Sequence, residues 1–153
     1  RSMDAWQIVK GEWKLEEGAI MAQKPGSLQM KNPPRGRILL KFRVRFTENC
    51  ALALSFSISN MDFTLSLAAG KTGSASLEGV PKTQKVVSLE EFEWYSFELR
   101  AGKEQISLSL DDRLVFETDT PQIEPPKKPV GILFDLREGR VELKEITLIT
   151  AKE

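Results

Sequence analysis

Apolar and polar residues alternate one for one along most of the chain, the period of a strand with one buried face. In residues 38–46, Leu40, Phe42, Val44 and Phe46 point one way while Lys41, Arg43 and Arg45 point the other. Glu48 and Asn49 supply turn residues. Residues 51–59 then direct Leu52, Leu54, Phe56 and Ile58 inward and Ser55 and Ser57 outward, which predicts a hairpin with the preceding strand. A turn at Asn60-Met61-Asp62 leads to a third strand, with Phe63, Leu65 and Leu67 opposite Thr64 and Ser66, broken at Gly70 and Gly73. Over residues 94–100, Tyr95, Phe97 and Leu99 share a face; after a turn at 101–103 the pattern resumes with Ile106, Leu108 and Leu110, a second hairpin. Asp111-Asp112-Arg113 makes a tight connection to Leu114-Val115-Phe116, and the closing strands are 130–136 and 141–149, hinged at Glu138-Gly139. Shorter strands are expected at 6–9, 13–16, 19–21, 27–30 and 86–89.

No stretch sustains a 3.6-residue apolar repeat over the roughly 11 residues of an ordinary helix, which argues against a βαβ architecture. One helical turn is expected at 88–92, where Ser88 and Glu91 have the spacing of a capping box. About a dozen short strands separated by turns make the chain all-β, an antiparallel sandwich or barrel. The proline-rich segment 121–129 cannot pair in the middle of a sheet, and strands resume directly after it, so it reads as an exposed crossing loop and not an interdomain linker. A length of 153 residues suits one domain spanning 1–153. Arg1-Ser2-Met3 reads as a cloning remnant or a chosen boundary, compatible with excision from a longer chain.

Composition removes several function classes. Hydrophobic residues at 41% and charged residues at 29% are ordinary for a folded soluble domain. The 22 basic and 22 acidic residues cancel, leaving no basic excess to hold phosphate, so nucleic acid is not expected as a partner. No apolar run reaches the roughly 20 residues that cross a bilayer, and membrane insertion is not expected. Cys50, the only cysteine, forbids an internal disulfide, and its place at the start of an apolar strand reads as a buried inert thiol. With no histidine in the chain, histidine-dependent triads are excluded and catalytic zinc is disfavoured. Asp111, Asp112 and Asp119 are carboxylates of the kind that attract calcium, yet no loop spaces enough oxygen ligands; no metal and no cofactor is expected.

Certain landmarks fall in a familiar order: Trp6, Gly11, Trp13 and Gly18 near the start, Trp94 opening a strand, the hairpin 107–116, Val130-Gly131-Ile132, and a closing strand at 141–148. In this the chain resembles the concanavalin A-like lectin/glucanase superfamily, above all its bacterial 3-keto-disaccharide hydrolase and glycoside-hydrolase-like domains, and more distantly laminin G-like modules. The resemblance covers nearly the whole chain and implies a two-sheet β-sandwich of jelly-roll type and an extracytoplasmic location. Its landmarks are turn glycines and core aromatics, which specify a fold without a ligand. Family 16 glucanases carry a Glu-x-Asp-x-x-Glu strand motif, whereas Asp135-Leu136-Arg137-Glu138 here has Leu133 in place of the first glutamate; glucanase chemistry is not implied. Related domains usually read Asp-Gly in the late hairpin, and Asp111-Asp112 replaces it with a residue that tolerates left-handed backbone angles.

The outward positions gather Arg43, Arg45, Ser55, Ser57, Thr64, Ser66, Trp94, Ser96, Glu98, Arg100, Ser107 and Ser109. Arg43, Arg45, Trp94, Glu98 and Arg100 are the candidate ligand-binding set, since sugars lay C–H faces on aromatic rings and bond their rims to charged and hydroxyl groups. The same alternation of Ser and Thr also suits a plain solvated face, and Trp94 equally suits a strand edge packed into the core. Trp6 and Trp13 read as core or closure residues. Glu91 and Glu93, placed on one strand face, would lie roughly 7 Å apart, near a glycosidase separation. Catalysis also needs one carboxyl held protonated in apolar surroundings, and Glu90-Glu91-Phe92-Glu93 after a turn is ordinarily a solvated acidic rim. The leading expectation is a non-catalytic jelly-roll binding module that recognises carbohydrate through its concave sheet or adjoining loops. The alternatives are a divergent glycoside hydrolase or 3-keto-glycoside-cleaving domain, and a protein-interaction domain using strand edges or the 121–129 loop.

Overall fold

Leu40, Phe42, Val44 and Phe46 are each at most 1% exposed, so the alternation of the longest predicted strands does sort core from surface. The computed structural model describes residues 3–33, 35–47, 49–70 and 72–152. Its strands are β1 Trp6–Lys10, β2 Lys14–Glu16, β3 Ala19–Ala22, β4 Gly26–Met30, β5 Arg37–Phe46, β6 Cys50–Ile58, β7 Met61–Ala69, β8 Ser74–Leu77, β9 Lys85–Val86, β10 Trp94–Ala101, β11 Gln105–Leu110, β12 Arg113–Asp119, β13 Ile132–Glu138 and β14 Val141–Ala151. They form two seven-stranded antiparallel sheets. The first runs β1-β4-β13-β6-β7-β8-β9 and the second β12-β11-β10-β5-β14-β3-β2. Of the sandwich or barrel that the pattern allows, this is the sandwich, in the two-sheet jelly-roll form that the resemblance implies. Bulky side chains from both inner faces close the core: Phe42 of β5 stands edge-on to Phe134 of β13 at 5.3 Å between ring centroids and stacks on Phe97 of β10 at 5.6 Å. Trp6 and Trp13 are buried, as expected.

The β5–β6 hairpin is corrected: β5 is central to the second sheet and β6 lies in the first. Alternation specifies which face of a strand is buried but not which strand lies beside it. Between Phe46 and Cys50 the chain changes layer, so the two apolar faces meet across the core. The β13–β14 connection changes layer alongside it, and the Thr47 N–H donates to the Arg140 carbonyl at 3.3 Å. Here Gly139, at φ 84°, is required: a Cβ on it would run into the Asn49 carbonyl oxygen and come within 2.9 Å of the Cys50 Cα. Glu48, one of the predicted turn residues, and Arg1 and Ser2 lie outside the described residues.

Smaller corrections share one cause, local conformation set by tertiary anchoring or strand twist. The β6–β7 turn is Ser59-Asn60, both left-handed at φ 50° and 63°, with Met61 already in β7 opposite Ile58. Two left-handed residues match the twist of a tight hairpin. Asp111 and Asp112 do the same at φ 48° and 66°, as their sequence suggested. The helical turn expected at 88–92 is absent, and the strand expected at 86–89 shrinks to Lys85–Val86. Leu89 instead dips into the core, the Glu90 N–H donates to the Tyr95 hydroxyl at 2.6 Å, and the Phe92 N–H donates to the Phe46 carbonyl at 2.7 Å, which ties the segment to β10 and to the end of β5. A 3₁₀ turn forms at Pro81–Thr83, and the buried Thr83 hydroxyl accepts from the Leu77 N–H and donates to the Val80 carbonyl. Residues 121–129 carry no strand and link β12 of one sheet to β13 of the other, the crossing loop expected.

Candidate functional site

The register of the second sheet lines up its outward side chains in rows. Arg45 of β5 sits between Glu142 of β14 and Trp94 of β10; Arg43 sits between Lys144 and Ser96; Lys41 between Thr147 and Glu98; Leu39 between Ile149 and Arg100. All five candidate ligand-binding residues therefore share one outer face. Three cations surround the half-buried Trp94 ring, with Lys144 Nζ 4.0 Å, Arg45 Cζ 4.9 Å and Arg43 Cζ 5.7 Å from its centroid. Such contacts hold a ring and its cations in place by the ring's negative face. Arg45 forms a fork with Glu142, at 2.6 Å from Nε and 3.0 Å from Nη2, and this hydrogen bonding raises its guanidinium further above the ordinary value. Arg43 reaches Glu145 at 3.1 Å. A β-bulge makes that contact: the β14–β5 register slips between Lys144 and Thr147, and Glu145 adopts φ 52°, which adds an outward carboxylate. Farther along the face, Arg100 pairs with Glu98 two residues away at 2.7 Å.

Beyond Arg100 the face opens into a groove of about 820 Å³. Leu39, Ile149 and Ala151 line it beside Arg37 and Arg100, while Glu117 and Asp119 of β12 line it on the far side. Ile149 is 53% exposed. Sequence reasoning missed this groove, although the three-residue apolar run Ile38-Leu39-Leu40 breaks the alternation where Leu39 turns outward. Lys144 was missed too, because its approach to Trp94 depends on β14 pairing with β5 and not with its chain neighbour β13.

Four hydroxyl residues grouped with this set belong elsewhere. Ser55, Ser57, Thr64 and Ser66 lie on the outer face of the first sheet, a consequence of the layer change before β6. Their hydroxyls are engaged there: Ser55 with Thr64 at 3.0 Å, Ser57 with Asp62 at 2.6 Å, and Ser66 with Glu78. Only Ser96, Ser107 and Ser109 join the arginines and Trp94. The premise for Glu91 and Glu93 is also corrected: Glu91 lies in a turn with Phe92 at φ 65°, Glu93 precedes β10, and the two do not share a strand face. The Asp111 carboxylate accepts from the Ser96 N–H at 2.8 Å and so ties the β11–β12 turn to β10. Among the described residues, no three Cys, Asp or Glu side chains gather as a metal-ligand group. Cys50 is buried at the start of β6, and burial, with the nearby Glu138 charge, pushes its thiol up to about 12, so it is no thiolate nucleophile at neutral pH. Among the described residues, no helix is long and apolar enough to cross a membrane.

No protein-family model and no curated protein sequence matches the chain. Solved structures do. The chain is similar to the carbohydrate-binding module CBM66 of Bacillus subtilis, with a TM-score of 0.70 and 12% identity over 95% of this chain and 96% of that one. It is similar to a candidate glycosyl hydrolase from Parabacteroides distasonis, with a TM-score of 0.72 and 13% identity over 99% and 91%. With a sialidase the TM-score is 0.74 at 14% identity, over 97% of this chain but 17% of the sialidase. At such identities the likeness is one of fold, the two-sheet antiparallel β-sandwich.

Proposed function

We propose that this domain is a carbohydrate-binding module that holds saccharide on the outer face of its second sheet, from Trp94 to the groove beside Arg100. One observation carries the reading: a partly exposed tryptophan, fixed among Arg43, Arg45 and Lys144, shares a continuous face with a groove that combines outward apolar side chains and charged flanks. That mixture suits a sugar, whose C–H patches pack on Trp94, Leu39 and Ile149 while its hydroxyls bond Arg100, Ser107 and Glu117. The fold likeness to CBM66 over 96% of that module's length supports it. Residues on regular strands hold this surface with little ordering left to do on binding. The test is a glycan array followed by calorimetry. Saccharide binding is expected, weakened roughly tenfold or more by Trp94→Ala or Ile149→Ser with the melting temperature preserved. Absence of any saccharide binding, or binding indifferent to both changes, overturns the proposal.

A further inference from the structure

Charge on the proposed face is segregated. Its three central strands, β10, β5 and β14, carry three outward acids, Glu98, Glu142 and Glu145, and each is held in an ion pair by an arginine of the same three strands. Arg37, Lys41 and Lys144 are left over. They form no ion pair among the described residues, and Lys144 keeps its full charge while its ammonium lies over the Trp94 ring. Lys41 and Arg43 project from the same side of β5 roughly 7 Å apart, and Lys144 stands beside Arg43 on the next strand about 5 Å away. Acids without such partners lie at the rims: Glu104, Glu117 and Asp119 line the β12 side of the groove, and Glu17 occupies the β2–β3 turn within electrostatic reach of Arg45. The result is a positive midline flanked by these acids, with Lys103 and Lys152 also lining the groove, on a chain whose net charge is zero.

From this segregation we infer that the saccharide taken up is an anionic polysaccharide, bearing carboxylates or sulfate esters, which lies along β5 with its charges over Arg37, Lys41 and Lys144. The inference rests on the carbohydrate-binding reading above and names its ligand class. An extended chain suits the site because the surplus cations form a line and not a cup. Nucleic acid offers the same charge without the run of pyranose C–H faces that Trp94, Leu39 and Ile149 would cover.

The full chain is titrated calorimetrically with a polyuronate, a sulfated polysaccharide, a neutral glucan of matched length and single-stranded DNA. At least one of the two anionic saccharides is expected to bind ~10-fold or more tighter than the glucan, and to weaken roughly 20- to 40-fold between about 50 and about 200 mM salt, as about three neutralised charges require. The Lys41→Gln/Lys144→Gln double variant is expected to lose most of that preference and of the salt dependence, while the equal charge change Lys82→Gln/Lys128→Gln, on exposed sites away from the face, alters neither. Which anionic probe binds distinguishes carboxylate from sulfate. Glucan binding as tight as the anionic chains and insensitive to salt overturns this inference and leaves the carbohydrate-binding reading standing. Failure of every saccharide to bind overturns both. DNA binding as tight as the best saccharide also overturns it, by showing attraction to charge alone.

Discussion

Replacing Phe134 by alanine tests whether the two sheets meet as described. The ring is wholly buried, stands edge-on to Phe42 of the opposite sheet at 5.3 Å and 78°, and touches Trp6 at 5.7 Å. Removal of a buried phenylalanine costs about 3–5 kcal/mol, and two lost aromatic contacts worth about 0.5–1.5 kcal/mol each favour the middle or upper part of that range. At about 4 kcal/mol, and roughly 2–4 °C per kcal/mol for a domain of this size, the melting temperature should fall by roughly 8–16 °C. Urea unfolding followed by circular dichroism and tryptophan fluorescence gives the free energy directly. A double-mutant cycle with Phe42→Leu isolates the contact across the core, with an expected coupling of about 0.5–1.5 kcal/mol. Phe92→Ala serves as the contrast: that ring is 65% exposed, and its loss should cost under about 0.5 kcal/mol. A Phe134→Ala loss below about 1 kcal/mol, or strict additivity with Phe42→Leu, would refute the packing described.

Gly139→Ala should destabilise by about 2 kcal/mol or more in a thermal melt, since it combines a left-handed backbone with a Cβ pressed on the Asn49 carbonyl; an unchanged melt would disprove the close crossing of the two interlayer connections. Cys50 should resist iodoacetamide at pH 8 in the native domain and react fully in urea, because burial keeps the thiol protonated; prompt native labelling would contradict its placement. The hydrogen bond from Ser66, aided by Arg137, holds Glu78 below the ordinary carboxylate value. Its contribution is therefore complete above the unfolded value of about 4.3 and lost as pH falls through the lower folded value, so Glu78→Gln should flatten the acid limb of stability slightly for so exposed a pair, and identical limbs would count against it. Of three tryptophans only Trp94 should be quenched by iodide, and a bound saccharide should protect it; quenching that persists in Trp94→Phe would place Trp6 or Trp13 at the surface.

The residues on each side of a strand were legible because a strand has only two faces. Phe42, Phe56, Phe97 and Phe134 are core for the reason their spacing gives, and Arg43, Arg45 and Trp94 are outward for the same reason. Strand order was not legible where the chain changes layer. A hairpin and an interlayer crossing both need only a short polar link, so residues 47–49 fit either, and the wrong choice placed Ser55 and Thr64 beside Arg43 when the thickness of the sandwich separates them. The conformation around Phe92 was likewise set at a distance, by the Phe46 carbonyl and the burial of Leu89, which no local propensity encodes. The groove lies between those cases: Leu39 and Ile149 announce themselves as apolar residues in the polar phase, but they become neighbours only through β14 pairing with β5.

The placement of the binding face is tested most directly by mapping ¹H–¹⁵N chemical shifts while titrating the tightest-binding glycan from an array. The account expects the Trp94 indole, the Arg43 and Arg45 Nε signals and the amides of Ser96, Arg100 and Ser107 to move together, with Ser55, Thr64 and Ser66 still. Shifts concentrated on those three residues of the opposite sheet, or confined to the 121–129 loop, would contradict it.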